Sequence, residues 1–374
     1  MKKLITALMA ASAIALGGVS MSDARELRVA PAAPPPHPAN GVMYTNFMKY
    51  LPEESEGRLT ATMLGPEVVN LGQMKDALQS QIAEVGNLLP LYFPADLPMM
   101  SVTGQLSLTS KNPHAMGAAM TEFIVNCAPC QAEMKALNFV YLGSGASDLY
   151  EFITTKPVHS AADLQGLRLR SGGAPWARLA EHFGAVPVQM SVFDQFEAMN
   201  SGTIDGTMAS VGDLLSFRLV EVAKHITFAP IGGYISTSNF TVSKATWDDL
   251  TAEDRAAMAR AANRANADFT NRWGYEIPEI AEAAAKDAGI EFIDADPELV
   301  SEIQSFVDAD IETAGTYSQE QFGIQDAPEQ IQSFLALVDK WTAIADEVNS
   351  DPLAMAERVQ EEVWSKVDYA TYGQ

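Results

Sequence analysis

Basic residues are scarce in this chain. Its 374 residues hold 24 lysines and arginines against 48 aspartates and glutamates, a formal net charge of -24. A surface so acidic repels phosphate backbones and anionic headgroups, which argues against nucleic acid and anionic lipid as partners. Cysteine is scarcer still: Cys127 and Cys130, in the run NCAPC at 126–130, are the only two. One such pair, with no second pair and five histidines, makes a poor zinc site. The histidines show neither HxxxH nor HExxH spacing, which leaves His37, in a proline-rich loop, as the one candidate for a ligand or ion contact. Beyond the first two dozen residues no apolar run reaches the ~18 residues that a membrane-crossing helix needs. Also missing are a GxSxG elbow, a P-loop and a GxGxxG opening a helix; 143–147 (GSGAS) lacks the spacing. A secreted hydrolase would have to work through a carboxylate pair that no motif marks. Internal repeats are absent too, which disfavours a structural or adhesive array.

What is present begins with export. Lys2 and Lys3 precede an apolar run from Leu4 to Val19 and the small-x-small Ser22, Asp23, Ala24, the pattern of a secretory leader over residues 1–24. The expected location is a bacterial periplasm. In that oxidising space Cys127 and Cys130 suit a local disulfide, with a redox-active dithiol or two free thiols as alternatives. About 350 mature residues exceed one compact core and suit two lobes.

Hydrophobic periodicity predicts alternating strands and helices. Strands are expected at 26–31, 57–64 and 83–89, with helices at 40–51 and 74–81, which is a β-α-β-α-β order. The pattern restarts with strands at 139–142, 150–154, 167–170 and 186–190 and a helix at 175–183. Ser191 and Asp194 resemble a capping box for a helix at 192–200. A strand-like stretch at 234–243 leads to an Ala-rich helix from 247 nearly to 288, expected to kink at Pro278. A short strand at 290–293 and further helices to about 367 follow.

Arg170 is the most telling side chain. It ends the strand 167–170 (LRLR) and precedes Ser171, Gly172, Gly173 and a helix opened by Pro175 and Trp176. Ligands of twisted α/β sheets bind beyond the carboxyl ends of strands, where a guanidinium can grip a small carboxylate through two parallel hydrogen bonds. Arg168 shares strand parity with Arg170 and is the alternative inward residue, although it stands farther from the crevice.

Five segments carry a resemblance: 93–98 (FPADLP), 163–170 (DLQGLRLR), 184–190 (GAVPVQM), 196–206 (FEAMNSGTIDG) and 247–254 (WDDLTAED). In order and spacing the chain resembles the extracytoplasmic solute-binding proteins of tripartite ATP-independent periplasmic (TRAP) transporters, the four-carbon-dicarboxylate type. The resemblance implies an α/β, two-lobed periplasmic binding protein clamshell, with crossing strands and a long helix spanning both lobes. Carried onto this numbering, lobe one comprises 25–147 and 237–275, and lobe two 148–236 and 276–326. A C-terminal helical extension, 327–374, is longer than the family leads one to expect. The function implied is capture of a small organic acid, with Arg170 as the carboxylate clamp, and delivery to TRAP permease membrane subunits for ion-gradient-driven uptake. Neither an enzymatic activity nor direct membrane insertion is implied. No cofactor is implied, and the sequence does not indicate a metal ion bridging solute and protein.

Two positions depart from the family pattern. A second arginine common in relatives falls here on Tyr150, and an asparagine common after the Asp-Gly motif falls near Ser210. A monocarboxylate with an apolar or aromatic tail is therefore expected, with a dicarboxylate or a zwitterionic osmolyte as alternatives. The candidate ligand contacts are Arg170, Tyr150, Trp176, Ser210, Asn239, Glu67, Asn70 and Phe193. For Trp176, Phe193 and Phe196 burial of an apolar helix face is the competing role, and for Asn239 a strand-edge hydrogen bond. Glu67 and Asn70 can equally be solvated loop residues.

Overall fold

The computed structural model describes residues 24–374, so the expected leader lies, apart from Ala24, outside the described residues. In chain order the strands are β1 (Arg25–Ala30), β2 (Leu59–Met63), β3 (Val85–Leu88), β4 (Phe139–Tyr141), β5 (Gly145–Thr154) and β6 (Arg168–Ser171). They continue as β7 (Val186–Gln189), β8 (Gly206–Ser210), β9 (His225–Phe228), β10 (Gly233–Ser236), β11 (Ser238–Ser243) and β12 (Glu291–Asp294). Two sheets result. One has the order β2-β1-β3-β11-β4, the other β12-β9-β5-β8-β6-β7 with β10 paired to β5. Within the first, β1 runs parallel to β2 and β3; within the second, β6 runs parallel to β7 and β8. Such parallel neighbours need helical crossovers, and those helices bury the sheet faces. The alternation in β1 follows, with Leu27 and Val29 fully buried and Glu26 and Arg28 outward.

The chain crosses between the sheets at two adjacent places. β4 belongs to the first sheet and β5 to the second, so residues 142–144 make one crossing; β10 and β11 are likewise divided, and Thr237 makes the other. The single strand expected at 234–243 is thus two strands that change sheets. The crossings are tied together, with Ser144 Oγ donating to the Thr237 carbonyl at 2.6 Å and the Asn239 N–H donating to the Gly143 carbonyl at 3.0 Å. Gly143 is required here: its φ is +109°, and a Cβ would stand 2.5 Å from Asn266 Nδ2.

Helices also lie where periodicity marked none, the longer ones being Pro98–Gly104, Pro113–Asn126 and Ala128–Ala136. Pro113–Asn126 is buried on nearly every side, so no polar stripe betrays its period. Ser191 Oγ accepts from the N–H of Phe193 and opens a 3-10 turn, which moves the helix start from the expected 192 to Gln195. The long helix is also more broken than expected. It runs as Ala252–Asn271, a π turn at Arg272–Glu276, and Ile277–Asp287. Pro278 falls in the first turn of the last segment, where its missing N–H is no loss, so the irregularity sits ahead of it. This helix packs on the first sheet's helix Thr45–Glu54 and then carries Ala281 and Ala285 into the second sheet's core.

The C-terminal helices Ala327–Glu347 and Pro352–Glu362 pack on Pro113–Asn126 and Ala252–Asn271. Fully buried Trp341 donates through Nε1 to Glu122 at 2.6 Å, and Lys340 pairs with the same carboxylate at 2.9 Å. The final residues return to the first sheet, where the Tyr372 hydroxyl donates to the Tyr141 carbonyl at 2.9 Å. Cys127 and Cys130 are joined in a disulfide. No helix among the described residues is long and apolar enough to cross a membrane.

Candidate functional site

β6 lies between β8 and β7, so its carboxyl end opens among three parallel strands, and Arg170 sits at that end in register with Thr207 and Val188. The two arginines of LRLR have different fates. Arg168 faces Asp205, with Nε to Oδ2 at 2.9 Å and Nη2 to Oδ1 at 3.2 Å, while Lys156 reaches Oδ1 at 2.9 Å. The Arg168 hydrogen bonds hold the Asp205 carboxyl well below the usual carboxylate range. Arg168 is therefore committed to a structural pair. Arg170 is 2% exposed, and among the described residues its one hydrogen bond runs from Nε to the Met190 carbonyl at 3.2 Å. A Cβ on Gly172 would stand 3.3 Å from Arg170 Nη1, so Gly172 keeps space beside the guanidinium.

Arg170 lines a cavity between the sheets with about 510 Å³ of empty space, its mouth included, within the usual range for small-molecule sites. Tyr150, Tyr234, Phe193, Phe217, Phe269 and Trp273 supply aromatic wall. Trp273 comes from the π turn, a kind of irregularity that recurs at functional sites. Apart from the hydroxyl-bearing Tyr92, Tyr150 and Tyr234, the polar wall is sparse: Arg170, Asp213, His37, Asn87 and Ser236. Arg170 is the only lysine or arginine among these lining residues.

Burial pushes His37 down to about 3, so its ring is neutral. His37 Nδ1 accepts from the Ala39 N–H at 3.1 Å, which puts the ring proton on Nε2. Asp213, 2% exposed, accepts from Gln195 Nε2 at 3.3 Å and is pushed up to about 7 by burial against the pull of Arg170.

Of the residues expected at the site, Arg170, Tyr150 and Phe193 line the cavity. Trp176 stands one layer behind, stacked on Tyr150 at 4.9 Å with Nε1 donating to the Ile231 carbonyl at 3.1 Å. Ser210 is buried beside Asp148 and accepts from the Gly212 N–H at 3.0 Å. Asn239, in β11, donates to Asn266 of the helix Ala252–Asn271 at 2.6 Å. Glu67 and Asn70 lie at the mouth with Ser191 and Asp194. The Asn70 side chain caps the turn Leu71–Gln73, accepting from the Gln73 N–H at 3.2 Å. Tyr92 and Phe193 line both mouth and cavity, and the Val192 N–H donates to the Tyr92 hydroxyl at 3.4 Å. These contacts narrow the passage between them.

The model of bacterial extracellular solute-binding protein, family 7, matches residues 30–315. This chain belongs to that family. A solute-binding protein of Chromohalobacter salexigens is 25% identical over 299 residues, 74% of this chain and 87% of that protein. The C4-dicarboxylate-binding periplasmic protein DctP of Rhodobacter capsulatus is 30% identical over 134 residues, 36% of this chain and 39% of that one. Among solved structures, a marine-metagenome TRAP solute-binding protein specific for aromatic acid ligands, in complex with 3-hydroxybenzoate, matches with a TM-score of 0.76 at 19% identity. That match covers 86% of this chain and 99% of the other, and shows the shared α/β, two-lobed fold.

Asn87, Tyr92, Asp213, Phe217, Tyr234 and Trp273 escaped the sequence reading. Asn87 and Asp213 sit just at strand and helix termini on the carboxyl side of parallel strands, the one signal that could have marked them.

Proposed function

We propose that this family 7 protein is the extracytoplasmic receptor of a TRAP transporter and captures an aromatic monocarboxylate, with the carboxylate on Arg170. The permease then takes up the solute from the closed complex, lobe one moving against lobe two. One observation carries the reading: a buried guanidinium with vacant N–H groups faces a cavity walled by aromatic rings and offers the only cationic side chain there. A second carboxylate would enter without a partner, at a penalty of several kcal/mol, whereas apolar area gains roughly 25 cal/mol per Å². The aromatic acid specificity of the metagenome protein supports the same class. Calorimetric competition among benzoate, 3-hydroxybenzoate, mandelate, phthalate, succinate and malate tests it. An aromatic monocarboxylate should bind tightest, by about tenfold or more, close to 1.4 kcal/mol. If succinate, malate or phthalate wins, the reading is wrong.

Binding should also depend on pH through Asp213. A solute carboxylate on Arg170 cancels the attraction that lowers Asp213 and adds a like charge to the cavity, so the carboxyl rises further in the complex. The complex then holds more proton than the free protein. Affinity is full below about pH 7 and falls above it by up to about tenfold per pH unit, until the carboxyl of the complex also ionises. His37 stays neutral over that range, burial holds Tyr150 and Tyr234 protonated, and burial raises neighbouring Asp148 as well. Titration calorimetry from pH 6 to 9 checks this; a flat profile would show that Asp213 does not sense the solute.

A further inference from the structure

Asn87 reaches the cavity from the carboxyl end of β3, in the first sheet, whereas Arg170 reaches it from the second. It is 5% exposed. Its Nδ2 donates to the Pro31 carbonyl at 3.5 Å, and its buried Oδ1 has no partner among the described residues. The Pro31 carbonyl takes the N–H side of the amide, which leaves Oδ1 as the bare atom. A buried acceptor left without a donor is costly, and native interiors rarely tolerate one without a reason.

The neighbouring polar groups narrow the reason. Ser236 spends its hydroxyl proton on Asn239 and so presents only lone pairs. Asp213 accepts when ionised and offers one O–H when protonated, and its one hydrogen bond from Gln195 is long. Of the wall's donors, Arg170 and His37 Nε2 are suited to the carboxylate, and none of the hydroxyls of Tyr92, Tyr150 and Tyr234 donates to Asn87. A solute that brings a proton of its own satisfies the bare Asn87 Oδ1.

We propose that the solute carries a hydrogen-bond donor, a hydroxyl or an amine, on its aromatic body, and that Asn87 Oδ1 is the residue atom that reads it. This rests on the aromatic-acid reading above and deepens it to a substrate class. Asn87 thereby becomes the contact from the first sheet that complements the clamp on the second. Unsubstituted acids leave its oxygen bare, and acids with a donor fill it.

The test uses benzoate, the three hydroxybenzoates and their O-methyl ethers, which keep the oxygen and lose the proton. With the full mature chain, the best hydroxybenzoate should bind about tenfold or more tighter than benzoate, and its ether should lose that gain. In Asn87→Leu the ratio of hydroxybenzoate to benzoate affinity should fall to about one, an effect that general loss of structure would not produce. If Asn87→Leu does not fold, the hydroxy-methoxy comparison on the unaltered protein decides alone. Equal affinities across the series, or a preference that persists undiminished in Asn87→Leu, overturn the inference while leaving the aromatic-acid reading intact. If none of these acids binds, both fall together.

Discussion

Arg170→Lys is expected to weaken solute binding by on the order of 2 to 5 kcal/mol although the charge is kept. The guanidinium is planar, and its Nε is fixed by the Met190 carbonyl at 3.2 Å, which leaves the terminal nitrogens for two parallel bonds to a carboxylate. An ammonium is a point charge on a flexible stem and cannot reproduce that fork. Being shorter and more strongly hydrated, it also resists the dry position that Arg170 occupies at 2% exposure. In affinity the loss corresponds to about thirtyfold or more. Titration calorimetry on the folded variant is the measurement, with circular dichroism to confirm the fold. Undiminished affinity would remove Arg170 from the site.

Trp341→Ala should produce the largest loss of stability, about 3 to 5 kcal/mol. The indole is fully buried where the helix Ala327–Glu347 meets Pro113–Asn126, and its Nε1 holds the Glu122 carboxylate at 2.6 Å. Truncation leaves a cavity and also takes one of the two donors from that carboxylate, so Lys340 at 2.9 Å must hold it alone. Solute affinity should survive, because Trp341 is not among the residues that line the cavity. Urea denaturation with and without bound acid separates the two effects. A loss below about 1 kcal/mol would mean that the C-terminal helices are not part of the cooperative unit.

These two residues differ in how far the sequence announces them. Arg170 is legible because the strand, the Ser171-Gly172-Gly173 turn and the helix after it form one continuous stretch. Trp341 is legible only as an apolar residue in a helix, since its partner Glu122 lies in a segment whose helical period is hidden by burial on all sides. The alternating strands are readable because one face is wet, as in β1. The division of 234–243 between two sheets is not, because β10 and β11 are both wholly buried and show no change of pattern at Thr237. The π turn at Arg272–Glu276 is equally silent, and the proline that seems to mark a kink sits harmlessly after it. The cavity wall draws on loops, strand ends and a helix defect from distant stretches of chain, so its chemistry emerges only when they are assembled.

The three passages between the sheets, at residues 142–144, at Thr237 and along the helix through the π turn, act as parallel tethers. A single tether would let two bodies swivel in any direction. Three of them, two of which are stitched to each other through Ser144 and Asn239, restrict torsion and sliding of one sheet against the other more than a single tether would. In the clamshell closure we propose, a body so tethered has little orientational freedom to surrender. On that proposal most of the contact free energy gained on closing is retained as affinity, which offsets the presence of a single cationic anchor.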